Sequence, residues 1–315
     1  MKGNHEYDNF CQIIGTGTPE PRKGWHHSGL LLVVNGKPYL IDVTPQNWDD
    51  FGDWLFHEEA TFLVTHGHSD HFDAEEPWRG IFNPNYANFG RSQDEVYPVH
   101  LYGPWGVIDL LLRFNGFHQK GFEVKEEETR HILVTANYHQ LERLPDGRML
   151  HLHGVSTGTP IKIDGISVTP FDALHDWSYP IHPPHHVERR VCVGYVIDTG
   201  DKRYLYMPDF RIDSEGKLES NIIQAMSNRA MLDYFIVGCT NPVNRKTATP
   251  HSGPEDIYRL YENLRYREVV SDQTTIIFTH RNPHWERYAF ENPGFPKDRL
   301  IFSWNGEMVD GQYFH

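Results

Sequence analysis

The sequence predicts an α/β fold in which mixed sheets form a sandwich with helices beside it. Two observations point there: short runs rich in Val, Ile, Leu, Tyr and Phe recur along the chain, and helical windows fall between the later ones. A third, the lack of any internal repeat or low-complexity linker in 315 residues, favours one unit over residues 1–315.

The first clear element is GLLLVVNGKPYLIDV (29–43), two β-rich runs joined by Asn35-Gly36. That pair suits a tight hairpin because both central residues need positive φ. The second run ends on Asp42. Trp48, Phe51, Trp54 and Leu55 then recur at helical spacing, and TFLVT (61–65) reads as a short buried strand. PVHLYG (98–103) predicts a strand, and GPWGVIDLLLRF (103–114) a helix opening on Gly-Pro. Residues 115–165 read as a less legible inserted region, charged and mixed, with β-like pieces such as HILVTA (131–136) and MLHLHGV (149–155). Strands are clearer again at ISVTPF (166–171), VCVGYVIDT (191–199), RYLYM (203–207), YFIVG (234–238) and TTIIFT (274–279). Helices are expected over 215–229 and 253–266, the latter started by Ser252-Gly253-Pro254 with Glu255 and Asp256 in its first turn, where the helix dipole favours acids.

Bulk chemistry narrows the function. With 43 acids against 29 bases the net charge is −14, which opposes approach to a polyanion and disfavours nucleic acid as a partner. Cys11, Cys192 and Cys239 form no CxxC pair, so a thiolate zinc ribbon is excluded and a reducing compartment is expected. The opening MKGNHEYDNF has no apolar leader and no run suits a membrane span, so the expectation is a cytoplasmic protein. The 21 histidines exceed what packing requires.

Part of that excess is concentrated in VTHGHSDHF (64–72), where His66, His68, Asp70 and His71 fall within six positions directly after an apolar run. Imidazole and carboxylate suit zinc and similar divalent ions, and a loop leaving a buried strand can aim successive side chains into one cleft.

HGHSDH matches the HxHxDH signature of the metallo-β-lactamase superfamily, which the chain resembles from about residue 12 to residue 305. The resemblance implies an αββα sandwich of two mixed β-sheets flanked by helices, with two divalent ions, zinc or manganese, at one edge of the sheets. Its further ligands would be His175 after ISVTPFDAL, Asp209 after a hairpin, and His280 after TTIIFT. His66, His68 and His175 would then hold one metal and Asp70, His71 and His280 the other, with Asp209 shared. His151 and His153, in MLHLHGV, compete for the place given to His175. Asp42 would steady a ligand histidine, although an aspartate closing a strand also commonly starts a turn.

Two such ions sharing a water would make hydroxide available near neutral pH, a nucleophile suited to phosphodiesters. GTGTPEPRKGWHHSGLLL (15–32) and LYGPWG (101–106) are similar to segments of the tRNase Z and phosphodiesterase branch. VGCTNPVNRKTATPHSGPEDIYRL (237–260) resembles the phosphoribosyl cyclic phosphodiesterases. The resemblance implies a small phosphodiester substrate, a cyclic nucleotide or a sugar cyclic phosphate, with Asp70 and His251 catalytic. His251 would contact the scissile phosphate or protonate the leaving oxygen at a helix N-terminus. His182, His185, His186 and Arg189, in the proline-rich segment 176–190, are candidates for substrate binding, as are Trp25, His26 and His27 at a rim. The alternatives are a tRNA 3′-end processing endonuclease, a lactonase-type ester hydrolase and a metal-stabilised nucleotide-binding protein. Against the first, VGCT lacks the glutamate of that group's His-Glu-Ala-Thr loop. Relatives often pair, and the aromatics of 48–54 are candidates either for a homodimer interface or for one face of a helix.

Overall fold

Side chains along β2 (Gly29–Val34) alternate between two cores, and this period of two explains the layering. Leu30, Leu32 and Val34 join an inner cluster, while Leu31 and Val33 join an outer one. A computed structural model describes residues 9–17, 26–42, 44, 60–74, 99–115, 122–128, 131–136, 149–176, 191–226, 230–241, 252–281, 292–303 and 307–308. The sequence features at Trp25, 48–55, 177–190 and His251 lie outside them.

One sheet contains β1 (Phe10–Gly15), β2, β3 (Lys37–Ile41), β4 (Ala60–Leu63), β5 (Val99–Gly103), β6 (Phe122–Glu128), β7 (His131–Ala136), β8 (Met149–Gly154) and β16 (Glu307–Met308), in the order β16-β1-β2-β3-β4-β5-β8-β7-β6. The other contains β9 (Ile161–Ile163), β10 (Ile166–Asp176), β11 (Val191–Asp198), β12 (Arg203–Met207), β13 (Tyr234–Gly238), β14 (Thr275–Thr279) and β15 (Leu300–Phe302), in the order β15-β14-β13-β12-β11-β10-β9. Both sheets are mixed.

The inner cluster takes alternate residues from both sheets, such as Ile41 and Leu63 from one and Tyr206, Ile236 and Ile277 from the other. Tyr39 crosses between the sheets, donating its hydroxyl to the carbonyls of Ile163 and Asp164 at 3.3 and 3.2 Å. The outer faces are covered by α1 (Trp105–Phe114), which packs on β5 and β8, and by α2 (Lys217–Ala225) on β10 with α3 (Pro254–Tyr266) beside it. Leu205, buried between strand and helix, illustrates the energetics: truncation to Ala is expected to cost roughly 2–5 kcal/mol. Layers of helix, sheet, sheet and helix give the αββα sandwich. Cys11, Cys192 and Cys239 are buried, unbridged parts of it.

The helix expected over 215–229 is shorter, Lys217–Ala225, and three further differences from the sequence expectation shape the sheets. Residues 115–165 supply β6, β7 and β8, which extend the first sheet, and β9, which opens the second. The strand at 61–65 stops at Leu63 because the chain then divides its bonds: Val64 N–H donates to Tyr102 in its own sheet, and Thr65 C=O accepts from Val193 in the other. The strand at 166–171 instead runs on to Asp176 through a β-bulge, where the register shifts between Asp172 and Asp176 and Leu174 takes φ 58°.

Strand direction then gathers the site. β3, β4 and β5 run parallel, as do β12, β13 and β14. β10 shares the direction of β12 because each is antiparallel to β11. Their C-terminal ends therefore bring Asp42, the 66–71 loop, His175, Asp209, Thr240 and His280 to one rim. Gly238 permits this closeness: a Cβ there would stand 1.5 Å from the Pro208 carbonyl oxygen, displacing the segment that carries Asp209.

Candidate metal centre

The loop after β4 is folded by its own backbone and by one buried carboxylate. The His68 carbonyl accepts from the N–H groups of His71 and Phe72 at 3.0 and 2.9 Å, turning the chain, and buried Phe72 anchors the turn in the core. Asp42 is fully buried and left-handed, with φ 54°. Its Oδ1 accepts Thr65 N–H at 2.8 Å and its Oδ2 accepts the Thr65 hydroxyl at 2.7 Å. Oδ2 also lies 3.1 Å from His71 Nδ1. A proton on that Nδ1 leaves the Nε2 lone pair facing Asp70 and Asp209.

Thr65 relays the same constraint to His66. Its hydroxyl proton goes to Asp42, so Oγ1 accepts from His66 Nδ1 at 3.0 Å and His66 Nε2 points inward with its lone pair. Thr240 stands in a like relation to His280. Its hydroxyl donates to the His280 carbonyl at 3.1 Å and lies 2.9 Å from His280 Nδ1, which directs Nε2 towards Asp70 Oδ2 at 3.0 Å. His280 adopts φ 49°, the turn that swings its ring off β14 into the cluster. The β10 bulge, tied by Leu174 N–H to Asp172 Oδ1 at 2.9 Å, presents His175 to the same rim.

Two groups of donors result: His66, His68, His175 and Asp209, and Asp70, His71 and His280. Within the first, His68 Nδ1 lies 2.9 Å from His66 Nε2 and 3.5 Å from His175 Nε2. Asp209 Oδ2 lies 3.4 Å from His66 Nε2 and 3.6 Å from His175 Nε2. In the second, Asp70 Oδ2 lies 3.6 Å from His71 Nε2. Asp209 joins the groups, with Oδ2 also 3.4 Å from His71 Nε2 and Oδ1 3.2 Å from His280 Nδ1.

These atoms fit a pair of divalent ions. Donors arranged tetrahedrally around an ion at roughly 2.0–2.1 Å lie about 3.4 Å from one another, the spacing that recurs here. His71 Nε2 is buried with no hydrogen-bond partner among the described residues, though it faces two carboxylates. Burial, reinforced by His71, pushes His66 well below the ordinary imidazole range. Burial likewise pulls His68 down to about 4, with His175 and His71 adding to the effect against Asp209. Both rings are therefore neutral, with lone pairs available, at neutral pH. Burial alone would lower His71, but the facing carboxylates of Asp70, Asp209 and Asp42 raise it well above the usual value. Burial would raise Asp70; His71 and His280 reverse that and hold it below the usual carboxylate range. The sharing of charge between these groups is what a bound cation would replace.

The seven residues named from HGHSDH and its resemblance thus converge, and Asp42 touches His71. His151 and His153 do not join them; they lie together with His100 on another part of the first sheet. His27 is half-buried near this centre, its Nδ1 3.3 Å from Thr44 Oγ1, and burial lowers it despite the field of Asp70. His182, His185, His186, Arg189 and His251 fall outside the described residues. Sequence reasoning missed Thr65 and Thr240. Thr65 adjoins the motif and could have been noticed, whereas the approach of Thr240 to His280 exists only through the β13–β14 pairing.

Two mixed sheets between helices, with a histidine–aspartate cluster at the strand ends, define the class of metallo-β-lactamase-fold hydrolases. The chain belongs to the beta-lactamase superfamily: its residues 60–280 match the family model of the beta-lactamase superfamily domain. No curated protein matches it. Solved structures share the fold at low identity. The metallo-beta-lactamase fold protein YhfI from Bacillus subtilis is 12% identical with TM-score 0.58, covering 96% of this chain and 99% of that one. A diphosphatase from the PhnP family is 16% identical with TM-score 0.57, covering 96% of each chain. The short form of human tRNase Z is 14% identical with TM-score 0.54, covering 95% of this chain and 98% of that one. Among the described residues no helix is long and apolar enough to cross a membrane.

Proposed function

We propose that this chain is a metal-dependent hydrolase of a small phosphodiester, a cyclic nucleotide or a sugar cyclic phosphate. The observation that carries the reading is Asp209, whose Oδ2 faces His66 and His175 of one group of donors and His71 of the other. In this reading His66, His68 and His175 hold one divalent ion, Asp70, His71 and His280 the other, and Asp209 is common to both. When bound, two such ions supply Lewis acidity that makes water nucleophilic near neutral pH and offsets charge growing on phosphoryl oxygens.

The chain's own residues set the rest. Asp42, through Thr65 and His71, keeps imidazole lone pairs turned inward, so the centre needs little reorganisation. Asp70, kept ionised by His71 and His280, is available to hold a water in line with the substrate. His251, three residues before Pro254 in the sequence, contacts the phosphate or protonates the leaving oxygen in this proposal, and His182, His185, His186 and Arg189 bind the substrate. The phosphoester class is supported by the fold shared with a diphosphatase and a tRNase. The net charge of −14 favours a small substrate over RNA, and the reading keeps the protein cytoplasmic.

Purified protein with Mn²⁺ or Zn²⁺ should release nitrophenol from bis-p-nitrophenyl phosphate. Absence of turnover on that compound and on a panel of cyclic phosphates, with every divalent ion tried, would overturn the proposal. Cleavage of precursor tRNA with steep salt dependence would point instead to the endonuclease. His251→Ala should keep both metals and lose rate; loss of metal would show that the residue had been misplaced.

A further inference from the structure

We infer that His100, His151 and His153 form a second, separate metal site that takes a divalent transition ion preferring imidazole. β5 and β8 run parallel with His100 opposite His151 and Tyr102 opposite His153. Residues two apart on a strand share a face, so the three histidines point to one side of the sheet. The intervening Leu101, Leu150 and Leu152 are fully buried on the other side, in the core that contains α1. His100 Nδ1 lies 3.1 Å from His153 Nε2, and each of the three residues offers a nitrogen within 4.8 Å of the others. All three are half-buried, so an ion can reach them.

Packing alone does not account for this choice of residues. Elsewhere the same face of the sheet is built of Leu30, Leu32, Val34, Ile41 and Leu63, which bury apolar area without a polar cost. Here three imidazoles take the equivalent positions, and the Tyr102 ring stacks on His153 at 4.2 Å, forming one wall. The rings of His100, His151 and His153 lie nearly parallel, within 16°. Coordination uses in-plane lone pairs, so uptake turns the rings about χ2, a broad torsion for histidine. Three imidazoles with a fourth position left to solvent are a ligand set that zinc accepts. With no carboxylate in the group, the site favours zinc, copper, nickel or cobalt over manganese or magnesium. The rim centre, with two aspartates, accepts both kinds. The ion would fasten β5 to β8, the junction through which β7 and β6 join the sheet.

The test counts zinc per chain, after stripping with a chelator and equilibration in zinc buffer, in wild type and in a His100→Gln/His153→Gln double variant. The variant should hold one zinc fewer and keep its hydrolysis of bis-p-nitrophenyl phosphate; equal counts would overturn the site. Asp209→Ala separates the two centres, since it should still bind the ion of the trio, lost on adding His151→Gln. A zinc count for Asp209→Ala that the added substitution leaves unchanged speaks against the trio alone. Should the double variant not fold, diethyl pyrocarbonate labelling of wild type decides: zinc should protect His151, and unchanged labelling of that residue would overturn the proposal.

Discussion

Two groups of histidines receive opposite treatment from the fold. The rim centre draws on the ends of several strands and on the β10 bulge, includes Asp70 and Asp209, and is nearly closed to solvent. The trio of His100, His151 and His153 sits within regular strands, contains only imidazole, and is half exposed. The difference teaches that histidine density does not define such a centre. What distinguishes the rim is a buried carboxylate beneath it: Asp42 fixes Thr65 and His71, and Thr65 passes the constraint to His66. The trio is held by the β5–β8 register, by the contact of His100 with His153 and by the Tyr102 ring stacked on His153.

The sharpest way to break the comparison is Asp209→Ala. At the rim it removes a carboxylate that faces both donor groups and leaves buried histidines without that counter-charge. Hydrolysis should be abolished and the rim ions lost, while the fold and any ion at the trio persist. Metal analysis beside circular dichroism measures both. Retention of rim metal with full activity would sink the shared-carboxylate reading.

Asp42→Asn probes the support beneath the rim. Asn tolerates the left-handed φ of 54° at this position, so the backbone should stay and only the acceptor and its charge change. Rim affinity should fall by about 10- to 100-fold, the usual cost of losing a ligand's hydrogen-bonded carboxylate, measured by competition with a chromogenic chelator. The trio should show no change. An equal fall at both centres would mean that the substitution acts through the whole sheet.

How much of this was legible before the fold was known depends on distance along the chain. The HGHSDH loop is local, so its four donors stand out at once. Asp42, Asp209 and His280 each close a β-run, and they were picked out because the chain resembles a family whose ligands stand at such ends. His175 was visible as a residue, but its place inside β10 was not, because the bulge at Asp172–Asp176 is set by pairing with β11. Residues 115–165 were opaque because β6, β7 and β8 gain their meaning from a sheet edge built by earlier strands. His151 and His153 competed for a rim position on sequence alone. Their association with His100 requires the register between strands some fifty residues apart. The hydroxyl of Thr240 meets His280 only through pairing of β13 with β14.

That hydroxyl supplies the smallest and most discriminating difference between the two centres. Thr240→Val keeps the shape and β-branching of the side chain and deletes one donor to the His280 carbonyl and one contact with His280 Nδ1. A single hydrogen bond contributes about 0.5–1.5 kcal/mol net, so rim affinity should fall by roughly two- to tenfold, less than for Asp42→Asn. The loss should fall on the ion held by Asp70, His71 and His280, because His280 belongs to that group alone. Stepwise titration of the stripped protein with Co²⁺, read by absorption, resolves the two rim steps. Weakening confined to one step is expected if the orientation of His280 is what Thr240 supplies. Equal weakening of both steps would place its effect on Asp209, which links the two groups, and would make the rim one cooperative unit.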